Sequence, residues 1–367
     1  MTVLDTDSPP FRFYGAECSY FTGKARPALR AKRLYFEEIL PTPEIYQEIV
    51  RRTGMIFIPV VVTPEDETWQ DTSAIIDALE ARFPEPALIP ATPVQRIVSY
   101  LFEVYADEFM LLPAMHYRWS APESEKDARG TFAALSGDRE AANRFADQMA
   151  GSLPMLGVGK ATIPAIEAHL DELLGHMEAI FSDQSFLLGE QMSLADCAMM
   201  GPFYGHLYLD LVPGQILLER ATRVSHWVER VNHPNPAAFT GFLPGDALHE
   251  FVRPVLELIG NDAVPLLLDT LREFEEWADA RPAGTAEPPR AVGFHPTRLR
   301  GIEVSRYTSA YTLWMVQRPL DAYGALGDHE RETVDQALAG TGCERLFEYQ
   351  PRHRLGKSGF KLVFEEA

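Results

Sequence analysis

Basic residues are scarce in this chain: 33 lysines and arginines stand against 53 aspartates and glutamates, a formal charge of −20 over 367 residues. Such a balance repels phosphate backbones and anionic lipid, which argues against nucleic acid and membrane surfaces as partners. Cysteine is scarcer still. Three occur (Cys18, Cys197 and Cys343), odd in number and far apart, so there is neither a disulfide framework nor a paired zinc spacing, and a reducing compartment is favoured. Long apolar runs are missing as well. The most apolar stretch near the N-terminus, residues 55–62, is interrupted by Pro59 and far too short to span a bilayer. The first ten residues, MTVLDTDSPP, lack the basic start and apolar stretch of a secretion signal, so the expectation is a cytoplasmic protein.

What is present is globular in composition, 46% apolar and 23% charged, and too long for one ordinary core, so two or three domains are expected. Residues 11–15, FRFYG, read as a strand closed by glycine, and Ser19 or Thr22 can cap the helix that follows. YFEEIL at 35–40 reads as a second strand, PEIYQEIVRRTG as a helix closing on Gly54, and MIFIPVVV as a buried strand with an anomalous proline. Ile75, Leu79 and Phe83 recur at four-residue intervals on one helix face. The order is β-α-β-α-β-(β)-α within about 85 residues. From Pro84 onward a proline-rich linker gives way to helical patterns at 93–118, 162–181, 193–212, 216–231, 246–260 and 262–280. RPAGTAEPPRAVG at 281–293 reads as a second linker, followed by helices near 311–323 and 328–339 and strand-like pieces ERLFEYQ and GFKLVFE.

Three local signals bear on chemistry. Ile58-Pro59 lies inside a strand, where a cis X–Pro bond seats the proline at an edge and leaves the preceding backbone to a ligand; a plain edge-strand proline is the simpler alternative. Asp71-Thr72-Ser73-Ala74-Ile75 opens a helix. Thr72 can cap it and present first-turn amides to a carboxylate, while Asp71 can pair with an ammonium group, so both ends of an amino-acid moiety are met. An ordinary cap, worth roughly 1 kcal/mol, explains the same residues. Ser193-Leu194-Ala195-Asp196 has capping-box spacing, with Met192 and Cys197 placed for a hydrophobic staple, and reads as structural.

In this order the signals resemble the glutathione transferase superfamily, with Asp71-Thr72-Ser73-Ala74-Ile75 in place of Glu-Ser-x-Ala-Ile and Ser-Leu-Ala-Asp unchanged at 193–196. The resemblance spans roughly residues 11–235. It implies an α/β thioredoxin-like N-terminal domain (1–88) that binds glutathione, an all-α transferase domain (93–240) and an additional α+β C-terminal extension (241–367) with no counterpart. It implies glutathione as substrate, an apolar small molecule as the second, and a homodimer. Ile58, Pro59, Asp71 and Thr72 become glutathione-binding residues. In the loop Cys18-Ser19-Tyr20-Phe21-Thr22-Gly23-Lys24-Ala25-Arg26, similarity to Ser-Pro-Phe-Ser-x-Arg-Val-Arg puts Ser19 at the catalytic position, with Tyr20 where proline is usual. Similarity to Tyr-Phe-Asn-Gly-Arg-Gly-Arg promotes Tyr20, and cysteine-type members promote Cys18. A hydroxyl would stabilise the bound thiolate, whereas a cysteine would be the nucleophile itself. Phe109, His116, Tyr117 and Trp119 fall on the stretch that lines the second-substrate pocket in that family; an aromatic helix packed into the core reads the same way. A binding or scaffold protein that keeps the fold without chemistry is the alternative function.

Other patterns carry less. His169 and His176 lie seven apart without a third ligand, so no metal site is expected. LGVGK at 156–160 lacks the phosphate-loop spacing, and the basic RHRLGK at 352–357 reads as a solvated surface cluster.

Overall fold

The computed structural model describes residues 9–365; most of the segment read above for a secretion signal, residues 1–8, lies outside them. Strand β1 (Phe11–Tyr14), helix α1 (Tyr20–Ala31), β2 (Phe36–Ile39), α2 (Pro43–Thr53), β3 (Val60–Val62), β4 (Thr68–Gln70) and α3 (Thr72–Arg82) form the first unit. The sheet order is β2-β1-β3-β4, with β1 parallel to β2 and antiparallel to β3, and β4 antiparallel to β3. Alternation divides the faces. Phe13 and Val61 join the large core, whereas Tyr14, Val60 and Val62 meet Ile49 of α2 on the other side. The result is a mixed thioredoxin-like sheet between helices. Local chemistry sets the ends: Ser19 caps α1, Thr42 caps α2 with Pro43 at its first turn, and Gly54, at φ 72°, closes α2 in the left-handed region.

The helical unit comprises α4 (Pro93–Val104), α5 (Leu111–Trp119), α6 (Pro122–Ser136), α7 (Arg139–Ala150), α8 (Leu153–Leu156), α9 (Ile163–Ile180), α10 (Leu194–Pro202), α11 (Leu211–Arg220) and α12 (Thr222–Asn232). A π-helical turn at Tyr105–Phe109 joins α4 to α5, and another at Phe203–Tyr208 follows α10. The capping box forms as expected. Ser193 Oγ accepts from Asp196 N–H, and Asp196 in turn accepts from Ser193 N–H, Leu187 N–H and Trp227 Nε1, all buried. Helices α1 and α10 approach closely through two glycines: a Cβ on Gly23 would stand 2.9 Å from Met200 O, and one on Gly201 2.8 Å from the Tyr20 ring.

Beyond residue 240 the chain adds α13 (Val252–Leu258), a π-helical turn (Ile259–Ala263), α14 (Val264–Ala280), β5 (Ala291–Leu299), β6 (Ile302–Ser309), α15 (Ala310–Gly324), α16 (Asp328–Leu338), α17 (Glu344–Glu348), β7 (Leu355–Ser358) and β8 (Lys361–Phe364). Strands β5 and β6 pair as a hairpin around Arg300 (φ 47°) and Gly301 (φ 81°), a two-residue turn that needs left-handed backbone at both positions. Two expectations are corrected here. ERLFEYQ is not a strand, because residues 344–348 form α17, and the 281–293 linker runs into β5. The extension shares the main hydrophobic core: Leu313, Val316, Val334 and Leu346 are fully buried in the same cluster as Phe13, Leu101 and Leu173. Among the described residues no helix is long and apolar enough to cross a membrane.

Candidate active site between the first domain and the extension

Strand register assembles the candidate site. Tyr14 lies opposite Val60, and Val60 opposite Gln70. The loop leaving β1, the residues entering β3 and the residue leaving β4 therefore emerge side by side at one end of the sheet. These are Cys18 and Ser19, Ile58 and Pro59, and Asp71. The Ile58–Pro59 bond is cis. Among the described residues, the N–H and C=O of half-buried Ile58 hydrogen-bond to no protein group, while Pro59 is buried.

The three candidate nucleophile or activator side chains separate. Ser19 Oγ accepts from Thr22 N–H at 3.3 Å and, among the described residues, gives its own proton to no protein acceptor. That leaves a hydroxyl donor at the positive end of a twelve-residue helix. Cys18 is half-buried with a free thiol. Burial pushes that thiol up, and the Arg118 guanidinium opposes it. Arg118 is itself fixed by Asp210 (2.8 Å), the Cys18 carbonyl (3.0 Å) and the Gly205 carbonyl. Tyr20 points elsewhere: its hydroxyl donates to Ala106 O at 2.5 Å inside the core, and burial raises its pKa well above the usual phenol range.

At the other end of the site Asp71, not Thr72, caps α3; Thr72 is the first helical residue and is buried. Asp71 has φ 77°, a left-handed value rare for a side-chain-bearing residue. Its Oδ1 accepts from Ser73 N–H (3.0 Å) and Ala74 N–H (3.3 Å). Its Oδ2 accepts from the Tyr311 hydroxyl and lies 3.3 Å from the Lys357 ammonium. The last is an ion pair without hydrogen-bond alignment, since Lys357 Nζ is buried with no hydrogen-bond partner. Burial lowers the Lys357 pKa, with Asp71 opposing. RHRLGK is therefore not a solvated cluster throughout.

A charged network lies beneath. Lys24 Nζ, fully buried, donates to Ser73 Oγ (3.0 Å), Glu103 (2.9 Å) and Asp107 (2.6 Å). Arg318 of α15 reaches Glu103 (2.8 Å) and Asp77 (2.6 Å), and Thr312 donates to Glu108 at 2.6 Å. Burial opposes ionisation of Glu103, but Arg318 and Lys24 hold its carboxyl down at about 2; burial pushes Asp107 up to about 6 and Glu108 up to about 7. The π-helical turn places Asp107 and Glu108 in this network.

The four aromatic-stretch residues are not brought together. Phe109 is buried, stacked on Tyr105 at 5.6 Å and 4.6 Å from the His169 ring centroid. His169 bridges Tyr105 Oη (2.5 Å) and Asp262 (2.8 Å), tying the helical unit to the extension. Trp119 packs with Ala128, Ala146 and Phe132 of α6 and α7. Tyr117 lines an open groove of about 530 Å³ between α5, α9 and α11, and His116 pairs with Glu167 of that groove at 3.1 Å. No lining residue of the groove comes from the sheet end that holds Ser19 and Asp71.

Two family models match this chain: the glutathione S-transferase N-terminal domain over residues 13–87 and the glutathione S-transferase C-terminal domain over residues 144–235. These two matches support the glutathione transferase superfamily for this chain. Among solved structures, it is similar to a glutathione S-transferase from Rhodospirillum rubrum F11 (17% identity, 65% of this chain and 96% of that one, TM-score 0.43). It is likewise similar to FzlA from C. crescentus (18%, 66% and 97%, TM-score 0.42). A third is the beta-etherase LigF from Sphingobium sp. strain SYK-6 (18%, 62% and 97%, TM-score 0.45). No curated protein matches.

Sequence reasoning missed the buried partners of Lys24, and it missed Tyr311, Arg318 and Lys357 altogether. Lys24 sits inside the loop-helix stretch singled out above, and its spacing to Ser73 and Glu103 is invisible locally. The other three lie 215 or more residues from the carboxylates they meet, beyond the reach of any local pattern.

Proposed function

We propose that this protein is a glutathione transferase-like enzyme that binds glutathione at the end of its sheet and activates the thiol for transfer to an apolar electrophile. The observation that carries the reading is the unpaired Ile58 backbone beside the α1 N-terminus, where Ser19 holds a free hydroxyl proton. An extended cysteinyl backbone can pair with the Ile58 N–H and C=O, which sets its sulfur toward Ser19. Lowering a thiol near 8.5 by roughly two units needs about 2.7 kcal/mol of preferential thiolate stabilisation. One charge-assisted hydrogen bond and a helix N-terminus supply that order of energy. Exposed Ile56 and Phe57 precede Ile58 and offer an apolar approach to the sulfur. Cys18, as a nucleophile forming a mixed disulfide, is the alternative within the same loop. Domains at 1–88, 93–240 and 241–367, a cytoplasmic location and a homodimer belong to this reading.

A second reading, a binding or scaffold protein that does no chemistry, is favoured by one observation: the Asp71 carboxylate is already saturated by its own helix amides on one oxygen and by the extension on the other. Calorimetry with glutathione, with thiolate absorbance followed against pH, decides between them. Binding with thiolate present below neutral pH, and lost thiolate in Ser19→Ala, supports the enzyme. No binding at millimolar glutathione supports the scaffold. Light scattering tests the dimer.

A further inference from the structure

The inference rests on the thiol-site reading above and concerns which end of the ligand is recognised. A carboxylate offers about four lone-pair positions. At Asp71 two meet the Ser73 and Ala74 amides, and the others face the Tyr311 hydroxyl and the Lys357 ammonium. The two extension groups are held firmly. Tyr311 lies in the first turn of α15, whose cap Ser309 accepts its N–H at 3.1 Å. Leu355, two residues before Lys357, is fully buried, and its N–H and C=O are both bonded by the Gln317 side chain at 2.8 Å. The Lys357 ammonium also sits 5.0 Å from the centroid of the Trp314 ring, a cation–π contact. Arg318, one turn beyond Trp314, bonds Asp77 on the same helix as the Asp71 cap.

We propose that Lys357 is a specificity-determining residue that, with Tyr311, permanently fills the ammonium position at Asp71. The site therefore takes cysteinyl thiols by their thiol and amide groups, whether or not they carry a γ-glutamyl amine. The cation that Asp71 needs is supplied by the chain, and a ligand ammonium arriving there meets a like charge. N-acyl cysteinyl peptides are then substrates of the same standing as glutathione.

The test compares two ligands on the full chain by calorimetry: glutathione and glutarylcysteinylglycine, which keeps the thiol, both amides and both carboxylates and lacks only the amine. Wild type is expected to bind the two within threefold of each other. In Lys357→Ala, glutathione affinity should rise at least fivefold while that of glutarylcysteinylglycine stays unchanged, and Lys357→Arg should keep the wild-type pattern. A wild-type preference for glutathione of tenfold or more overturns the proposal without any variant. So does an unchanged glutathione affinity in a folded Lys357→Ala protein. Failure of both thiols to bind wild type and variants alike removes the thiol-site reading, and this inference with it.

Discussion

Replacing Glu108 by glutamine should stabilise this protein in mild alkali and leave it unchanged in acid. Glu108 is 7% exposed, receives the Thr312 hydroxyl at 2.6 Å, and is pushed by burial to about 7 from 4.5, with the Thr312 bond and the Arg306 guanidinium opposing. The folded state therefore binds this proton more tightly than the unfolded state. Below pH 4.5 both states are protonated and the contribution is intact. Between pH 4.5 and 7 the folded state holds the extra proton, so stability falls as pH rises, by up to roughly 1.4 kcal/mol per pH unit. Summed over the window the loss is about 3 kcal/mol. Glutamine stays neutral at every pH and still offers Thr312 an acceptor. Urea unfolding followed by tryptophan fluorescence at pH 5, 6.5 and 8 should show Glu108→Gln exceeding wild type by less than about 1 kcal/mol at pH 5 and by about 3 kcal/mol at pH 8. A variant that tracks wild type across that range, or is weaker at pH 8, would refute the reasoning and show that attraction to Arg306 outweighs desolvation.

Other outcomes follow from the same buried contacts. Lys24→Met strands Asp107 in the interior and leaves Glu103 with Arg318 alone as its cation, and should cost about 3–5 kcal/mol in chemical denaturation at pH 7. Asp196→Ala removes the acceptor of three buried N–H groups, from Leu187, Ser193 and Trp227, and should cost at least about 3 kcal/mol. Tyr20→Phe deletes the hydroxyl bonded to Ala106 O; roughly 1 kcal/mol of stability should be lost with no change in the pKa of bound thiol. Ser19→Ala should lose a similar amount as a cap and raise the bound thiol pKa by about one to two units, read by thiolate absorbance. Equal thiol pKa values in both variants would remove Ser19 from the chemistry.

The first unit was readable because its signals are local. Strand alternation, the Gly54 stop and the anomalous Pro59 each declare themselves within a few residues, and the Ser193–Asp196 box needs only one helical turn. The β5–β6 hairpin escaped because His295, Pro296 and Arg298 interrupt any apolar alternation, while the turn is set by Arg300 and Gly301. Phe109 and Trp119 show a different limit. An aromatic helix that is buried all round has no face by which sequence can tell a ligand pocket from a core. Asp71 was legible as an ammonium partner. That the ammonium comes from residue 357 was not, because a single lysine in a basic hexapeptide carries no mark of its long-range partner.

The separation between Asp71 and Tyr311, 240 positions along the chain, also sets an order of events during synthesis. A ribosome adding about 5–20 residues each second needs some 12–50 seconds to travel from one to the other. Through that interval Asp77 and Glu103 wait without Arg318, and Asp71 faces solvent with only its helix amides satisfied. The contacts that close this end of the sheet are therefore the last to form, because Tyr311, Arg318 and Lys357 are made after every carboxylate they meet.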